Sequence, residues 1–186
     1  VNGSKEYKAK VVGKDPYMDL AVLQIETEEK FQPVSFGDSD KARVGDWVIA
    51  IGNPFGLGGT VTSGIISARN RSIGLSRYED YIQTDASINQ GNSGGPLFNM
   101  EGDVIGINTA IISPSGTSSG IGFAIPSNTA SNIIDQLIKF GETKRGWLGV
   151  RIQKVTEEIA EVAQLEVARG ALIASVSENS TAKKSG

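Results

Sequence analysis

Gln83-Thr84-Asp85-Ala86-Ser87-Ile88-Asn89-Gln90-Gly91-Asn92-Ser93-Gly94-Gly95-Pro96-Leu97 is the stretch whose chemistry decides the fold. Gly91 to Gly95 satisfies Gly-x-Ser-x-Gly, the pattern of a nucleophilic serine on a sharp turn between a strand and a helix. Here Gly94, Gly95 and Pro96 follow the serine, and two glycines and a proline cannot open a helix well. The strand-to-helix elbow fails on that local chemistry. The same residues suit another device. A glycine at 91 lets the backbone turn so that its N–H and that of Ser93 face one concavity, which can hold an oxyanion. The flanking glycines let a peptide backbone approach closely. The plain alternative is a glycine-rich β-turn with an ordinary surface serine. The bare pentapeptide does not separate the two, whereas the longer string is much more specific. A conflict follows at once. A serine nucleophile of this kind needs an imidazole to take its proton, and the 186 residues contain no histidine.

Composition bounds the remaining possibilities. The chain is 39% hydrophobic and 21% charged, with a net charge of −3. That is an ordinary balance for a globular protein of one or two domains. It offers no basic surplus for phosphates, so nucleic acid is not an expected partner. No apolar run approaches the length of a membrane span. Cysteine is absent, which excludes thiol catalysis and disulfides. With no histidine either, no metal site or cofactor is expected. The 23 glycines suggest many tight turns and an all-β body. The chain starts at Val1 and its first methionine is Met18, so a missing targeting segment carries no weight.

Along the chain, Asn2-Gly3 is a hairpin-turn signal, Tyr7 to Val12 and Leu20 to Ile25 are β-prone, and Lys14-Asp15-Pro16 turns between them. Trp47 to Ile51 is nearly all apolar, as a buried strand would be. Further short runs follow at Val61 to Ala68, Tyr81 to Thr84, Val104 to Ile107 and Ile121 to Ile125, each bounded by Gly, Asn, Ser or Pro. That spacing predicts a mainly β barrel or sandwich and disfavours a doubly wound sheet. The stretch Gly56 to Gly59 is no phosphate loop, because no Lys-Ser/Thr follows it. One helix is expected after Ser127, which can cap it. Its stripe of Ile133, Ile134, Leu137 and Ile138 would pack on the barrel, and Gly141 would stop it. After Thr143-Lys144-Arg145-Gly146 the pattern restarts with a strand over Trp147 to Ile152, a helix over Thr156 to Leu165 and a strand over Ala171 to Val176. About 40 residues rarely complete a fold.

Several motifs in consistent order carry a family resemblance: Asp19-Leu20-Ala21-Val22-Leu23, Gly37-Asp38-Ser39-Asp40, Val44 to Gly56, the Gln83 to Leu97 string, and Gly120-Ile121-Gly122-Phe123-Ala124-Ile125-Pro126. Together they closely resemble the HtrA/Deg serine proteases, over essentially the whole chain. The resemblance implies a chymotrypsin-like double β-barrel over 1–142 (1–40 a remnant of an incomplete first barrel, 41–142 the second barrel and its C-terminal helix). A partial PDZ domain would follow over 146–186. It implies Ser93 as nucleophile, Asp19 as the acid that orients the imidazole, and Gly91, Asn92 and Ser93 as the oxyanion-hole backbone. Ile121, Gly122, Phe123, Ala124 and Ile125 would pair with an extended substrate as an added strand. Ile88 would help floor a primary pocket suited to small aliphatic side chains. Gly146, Trp147, Leu148, Gly149 and Val150 resemble the PDZ loop that holds a peptide C-terminus, though five residues do not exclude a plain glycine-bounded strand.

By its position Asp85 reads as a hydrogen-bonding structural residue. The family order is His, Asp, Ser, with the histidine upstream of Asp19. The simplest expectation is therefore a chain cut at both ends from an active protease, inactive alone because the histidine lies outside it. The resemblance further implies periplasmic residence, unfolded or misfolded polypeptide substrates, and a homo-oligomer of trimers or larger. Two alternatives stay open: a pseudoprotease that binds peptides or acts as a chaperone, and an adaptor working through its peptide-binding strand and PDZ segment.

Overall fold

The computed structural model describes residues 6–53, 59–74, 76, 78–113 and 118–185. The Asn2-Gly3 turn and most of the Gly56 to Gly59 stretch lie outside them. The chain divides into two compact units, one ending at Thr143 and the other beginning at Lys144.

In the first unit, β1 (Ala9–Asp15) and β2 (Leu20–Ile25) form an antiparallel hairpin, from Ala9 opposite Ile25 to Asp15 opposite Leu20. Lys14 and Asp15, expected in the turn, belong to the strand instead. The turn is confined to Pro16 through Asp19, where Asp19 takes a left-handed φ of 53°. Aspartate is one of the few residues that tolerate that region.

Six strands then close a barrel in the order β3-β4-β5-β8-β7-β6: β3 (Trp47–Gly52), β4 (Thr60–Arg71), β5 (Tyr81–Thr84), β6 (Pro96–Phe98), β7 (Val104–Ile111) and β8 (Gly122–Pro126). This is the mainly β, chymotrypsin-like architecture expected. Val48, Ala50, Ile66, Ile82, Ile88 and Leu97 fill its interior. Strand β6 had no sequence signal of its own. It is three residues long and gains its place by pairing with β3 and β7.

A second cluster sits between the barrel wall and α1 (Ser127–Phe140), where Ala130, Ile133 and Leu137 meet Met18, Leu20, Phe123 and Ile125. The helix thus fastens the β1–β2 hairpin to the barrel. Burying these side chains supplies on the order of 2 kcal/mol for each large one. The buried stripe is narrower than expected, since Ile138 is 60% exposed. Gly141, at φ 74°, closes the helix as expected, its N–H on the Leu137 carbonyl at 2.9 Å.

The expected Ser127 cap is not formed. Pro126 occupies the cap position, and the Ser127 hydroxyl donates to the Gly37 carbonyl at 2.6 Å. The Ser39 hydroxyl accepts from the Asn128 N–H at 3.2 Å. The Asn128 amide donates to Asp38 at 2.8 Å and Asp40 at 2.9 Å. The free N–H groups of a helix start can be met by any nearby acceptor, and here it comes from the Gly37–Asp40 segment.

The second unit pairs β9 (Val150–Lys154) with β10 (Ala171–Val176) and adds α2 (Glu157–Val162) and α3 (Thr181–Ser185). Thr156 caps α2, its hydroxyl accepting from the Ile159 N–H at 3.4 Å. The helix is shorter than the expected run to Leu165. It stops at Val162, and Gln164 then turns left-handed at φ 54°. The strand expected from Trp147 starts only at Val150.

Candidate active site

Strand β5 delivers the chain to the loop that carries Ser93. The Asn92 N–H closes a turn on the Asn89 carbonyl at 3.0 Å. Gly91 and Gly94 take φ of 100° and 84°, which a side chain would strain. Gly95 must lack a Cβ for another reason: one would overlap the Ile51 carbonyl oxygen of β3. The loop is tied to β7 by Gly94 N–H on the Asn108 carbonyl (2.8 Å) and Asn108 N–H on the Gly95 carbonyl (2.9 Å). Beneath it, Asn92 is buried and its amide donates to the Ser87 carbonyl at 3.1 Å. Ser93 itself is exposed.

Of the three residues expected to supply an oxyanion hole, Asn92 has its N–H engaged with the Asn89 carbonyl. No hydrogen bond from the N–H of Gly91 or Ser93 is found among the described residues.

Asp19 comes from the far end of the sequence, on the β1–β2 turn, and reaches the same place. The hydroxyl of Thr109, on β7, donates to Asp19 Oδ2 at 3.1 Å. The Ser93 hydroxyl donates to the Thr109 carbonyl at 3.1 Å. One residue therefore holds both the serine and the carboxylate. Sequence reasoning missed Thr109. Only the strand pattern around Val104 was legible there, and it says nothing about which residue faces Asp19. A recess of about 370 Å³ opens at this point, lined by Asp19, Tyr17, Ser76, Tyr81, Thr109 and Ala110. Burial, and then the charges of Glu79 and Asp19, push the Tyr81 hydroxyl above its ordinary range, so it stays a neutral wall. A larger recess of about 700 Å³, lined in part by Trp47, Ile66, Met100 and Ile105, includes neither Asp19 nor Ser93.

The residues expected to receive an extended substrate lie in and just before a paired strand. Phe123, Ala124 and Ile125 lie in β8, and Gly122 opens it, while Ile121 precedes it. Both edges of β8 are occupied: Ile82, Gln83 and Thr84 of β5 pair on one side, and residues of β7 from Gly106 to Ile111 on the other. A strand hydrogen-bonded on both sides has no edge to add to. What β8 contributes is the missing Cβ of Gly122, which leaves room for the Ile88 side chain. Ile88 is 1% exposed and packs in the barrel interior. Asp85 bonds as a structural residue, accepting from the Ile65 N–H at 2.7 Å.

In the second unit, the carbonyls of Trp147 and Leu148 accept from the Thr181 hydroxyl (3.2 Å) and the Ala182 N–H (3.0 Å). The Gly149 carbonyl accepts from the Ser177 N–H at 2.8 Å. The Trp147 to Val150 loop is thus anchored through its acceptors. Gly149, at φ 75°, must be glycine, since a Cβ would overlap Ser180. Among the described residues no group of carboxylates could hold a metal ion.

The family model described as "Trypsin-like peptidase domain" matches residues 2–107. A protein of Rhizobium meliloti (strain 1021) named "Probable periplasmic serine endoprotease DegP-like" is 58% identical over 186 residues, covering all of this chain and 37% of its own length. One of the same name from Rickettsia prowazekii (strain Madrid E) is 58% identical over 185 residues, covering 97% of this chain and 36% of its own. Among solved structures, "HtrA-type protease AlgW with decapeptide" is 50% identical with a TM-score of 0.81, covering 98% of this chain and 56% of the other. "HtrA-type protease AlgW with tripeptide" is 51% identical with a TM-score of 0.83, over 92% and 57%. The chain thus spans little more than a third of the curated relatives. With the family model over more than half of its residues, and with its motifs and barrel in agreement, the chain belongs to the trypsin-like peptidases, in their HtrA/Deg branch.

Proposed function

We propose that this chain carries the nucleophile and the orienting acid of a periplasmic serine endopeptidase that cleaves unfolded or misfolded polypeptides. The observation that supports it most is the convergence of Ser93 and Asp19 on Thr109. An imidazole seated beside Asp19, supplied from outside these 186 residues, completes the relay. Ser93 Oγ attacks the scissile carbonyl, and its proton passes to the imidazole. Asp19 holds that ring in orientation and stabilises the imidazolium. The N–H groups of Gly91 and Ser93 receive the developing oxyanion. The imidazolium then protonates the leaving amine, and water releases the acyl group from Ser93. Ile88, behind Gly122, limits the primary pocket to small aliphatic side chains.

The second unit acts as a PDZ segment whose Trp147 to Val150 loop receives peptide C-termini, and the whole protein works as a homo-oligomer. The periplasmic assignment follows the names of the relatives. The absence of histidine from the chain favours a second reading, a peptide-binding pseudoprotease. A fluorophosphonate probe on the full-length protein separates the two. Labelling lost in Ser93→Ala supports the peptidase; no labelling of Ser93 with unfolded substrate present supports the pseudoprotease.

A further inference from the structure

Glu79 lies outside the motifs singled out in the sequence, and its surroundings are unusual. It stands at the end of the segment joining β4 to β5, half-buried. Its Oε2 accepts from the Ser72 hydroxyl at 2.9 Å, the Ile73 N–H at 2.5 Å and the Gly74 N–H at 2.7 Å. Its Oε1 accepts from the Ser76 N–H. One carboxylate thus satisfies three backbone N–H groups and a hydroxyl of this segment, a set of donors that favours an anion. Partial desolvation would raise its pKa. The hydrogen bonds, Ser72 first and then Ser76, Gly74 and Ile73, outweigh it and hold the carboxyl at about 2.

What this segment touches is the Asp19 turn. Ser76 lines the same recess as Asp19, Tyr17 and Thr109. The ring of Tyr78 meets that of Tyr17 edge-to-face, with centroids 5.9 Å apart and planes at 82°. Tyr17 is two residues from Asp19, whose left-handed backbone persists only where surrounding structure holds it. From the other side the turn is held by the buried Asp15, which accepts from the Tyr17 N–H at 3.0 Å and the Thr143 hydroxyl at 2.8 Å.

We propose that Glu79 is a positioning residue for the reaction: its carboxylate fixes the β4–β5 connection so that Ser76 and Tyr78 hold the Asp19 turn in place. The proposal rests on Asp19 acting as the orienting acid described above, so it calls for one readout that depends on catalysis and one that does not. In the full-length protein, Glu79→Gln should lower kcat about tenfold while KM for a peptide substrate stays within about twofold. Amide exchange should rise about tenfold both in residues 72–74, 76, 78 and 79 and in residues 17–19. Glu79→Asp should recover part of both. Should Glu79→Gln fail to fold, Ser72→Ala removes one donor and should move both readouts about threefold in the same directions. Faster exchange in 72–74, 76, 78 and 79 with 17–19 unchanged overturns the proposal, as does an unchanged kcat in an active parent. A parent without peptidase activity refutes the peptidase reading, and exchange then decides this proposal alone.

Discussion

Thr109 and Asp19 are ninety positions apart in sequence, yet the Thr109 hydroxyl donates to Asp19 Oδ2 at 3.1 Å. The carbonyl of the same threonine accepts the Ser93 hydroxyl at 3.1 Å. Asp19 lies on an exposed turn, and without this bond its carboxylate would be free to rotate. A barrel strand therefore fixes the acid and the serine relative to one another through a single residue.

Replacing Thr109 by valine keeps the branched shape and removes only the donor. Thr109→Val in the full-length protein should lower kcat/KM about tenfold, the value of one hydrogen bond to a charged group. Thr109→Ser, which keeps the hydroxyl, should stay near the parent. Equal losses in both variants would assign the effect to packing. Peptide hydrolysis kinetics provide the measurement.

The 186-residue chain by itself should hydrolyse almost nothing, because loss of the imidazole of such a relay costs on the order of a millionfold in turnover. Casein cleavage by this chain, abolished by Ser93→Ala, would refute the assignment of the general base to a residue outside it.

Gly95→Ala should both destabilise the fold and suppress fluorophosphonate labelling. The added Cβ would overlap the Ile51 carbonyl oxygen, so β3 and the nucleophile loop must move apart, at about 2 kcal/mol or more. Urea unfolding read alongside labelling checks both halves.

Leu137→Ala should cost about 3 kcal/mol, since the side chain is fully buried between α1 and the hairpin. The β1–β2 hairpin should lose exchange protection before the barrel does, because α1 is what fastens it. Uniform loss across both would show that they unfold as one piece.

Acid should reveal the Glu79 carboxylate. Its folded pKa, about 2, lies below the ordinary 4.5. The anion is thus favoured by folding. Its contribution is complete above about 4.5 and disappears as pH falls towards 2. Thermal midpoints of the parent and Glu79→Gln should differ near neutrality and converge at the acid end. A gap that did not change with pH would place the effect elsewhere.

The sequence by itself determined much of this protein. Short apolar runs bounded by turn residues pointed to a β-barrel or sandwich, because strand segments and their turns are written locally, and the family resemblance chose the barrel. Ser93 and the glycines around it were legible for a similar reason, since a backbone that must turn left-handed or pass close to another needs glycine wherever it does so. Asp19 was singled out only through the resemblance of its segment to a family motif. Tertiary structure alone decided how these parts meet. That β8 has no free edge depends on its two neighbours, β5 and β7, which a strand's own residues do not record. The cap of α1 comes from Ser39, 89 residues away, and not from Ser127 beside it. Thr109 and Glu79 carry no local signature at all. Their roles are made by donors and acceptors brought together from separate segments, and a hydrogen bond depends on distance in space and not on separation along the chain.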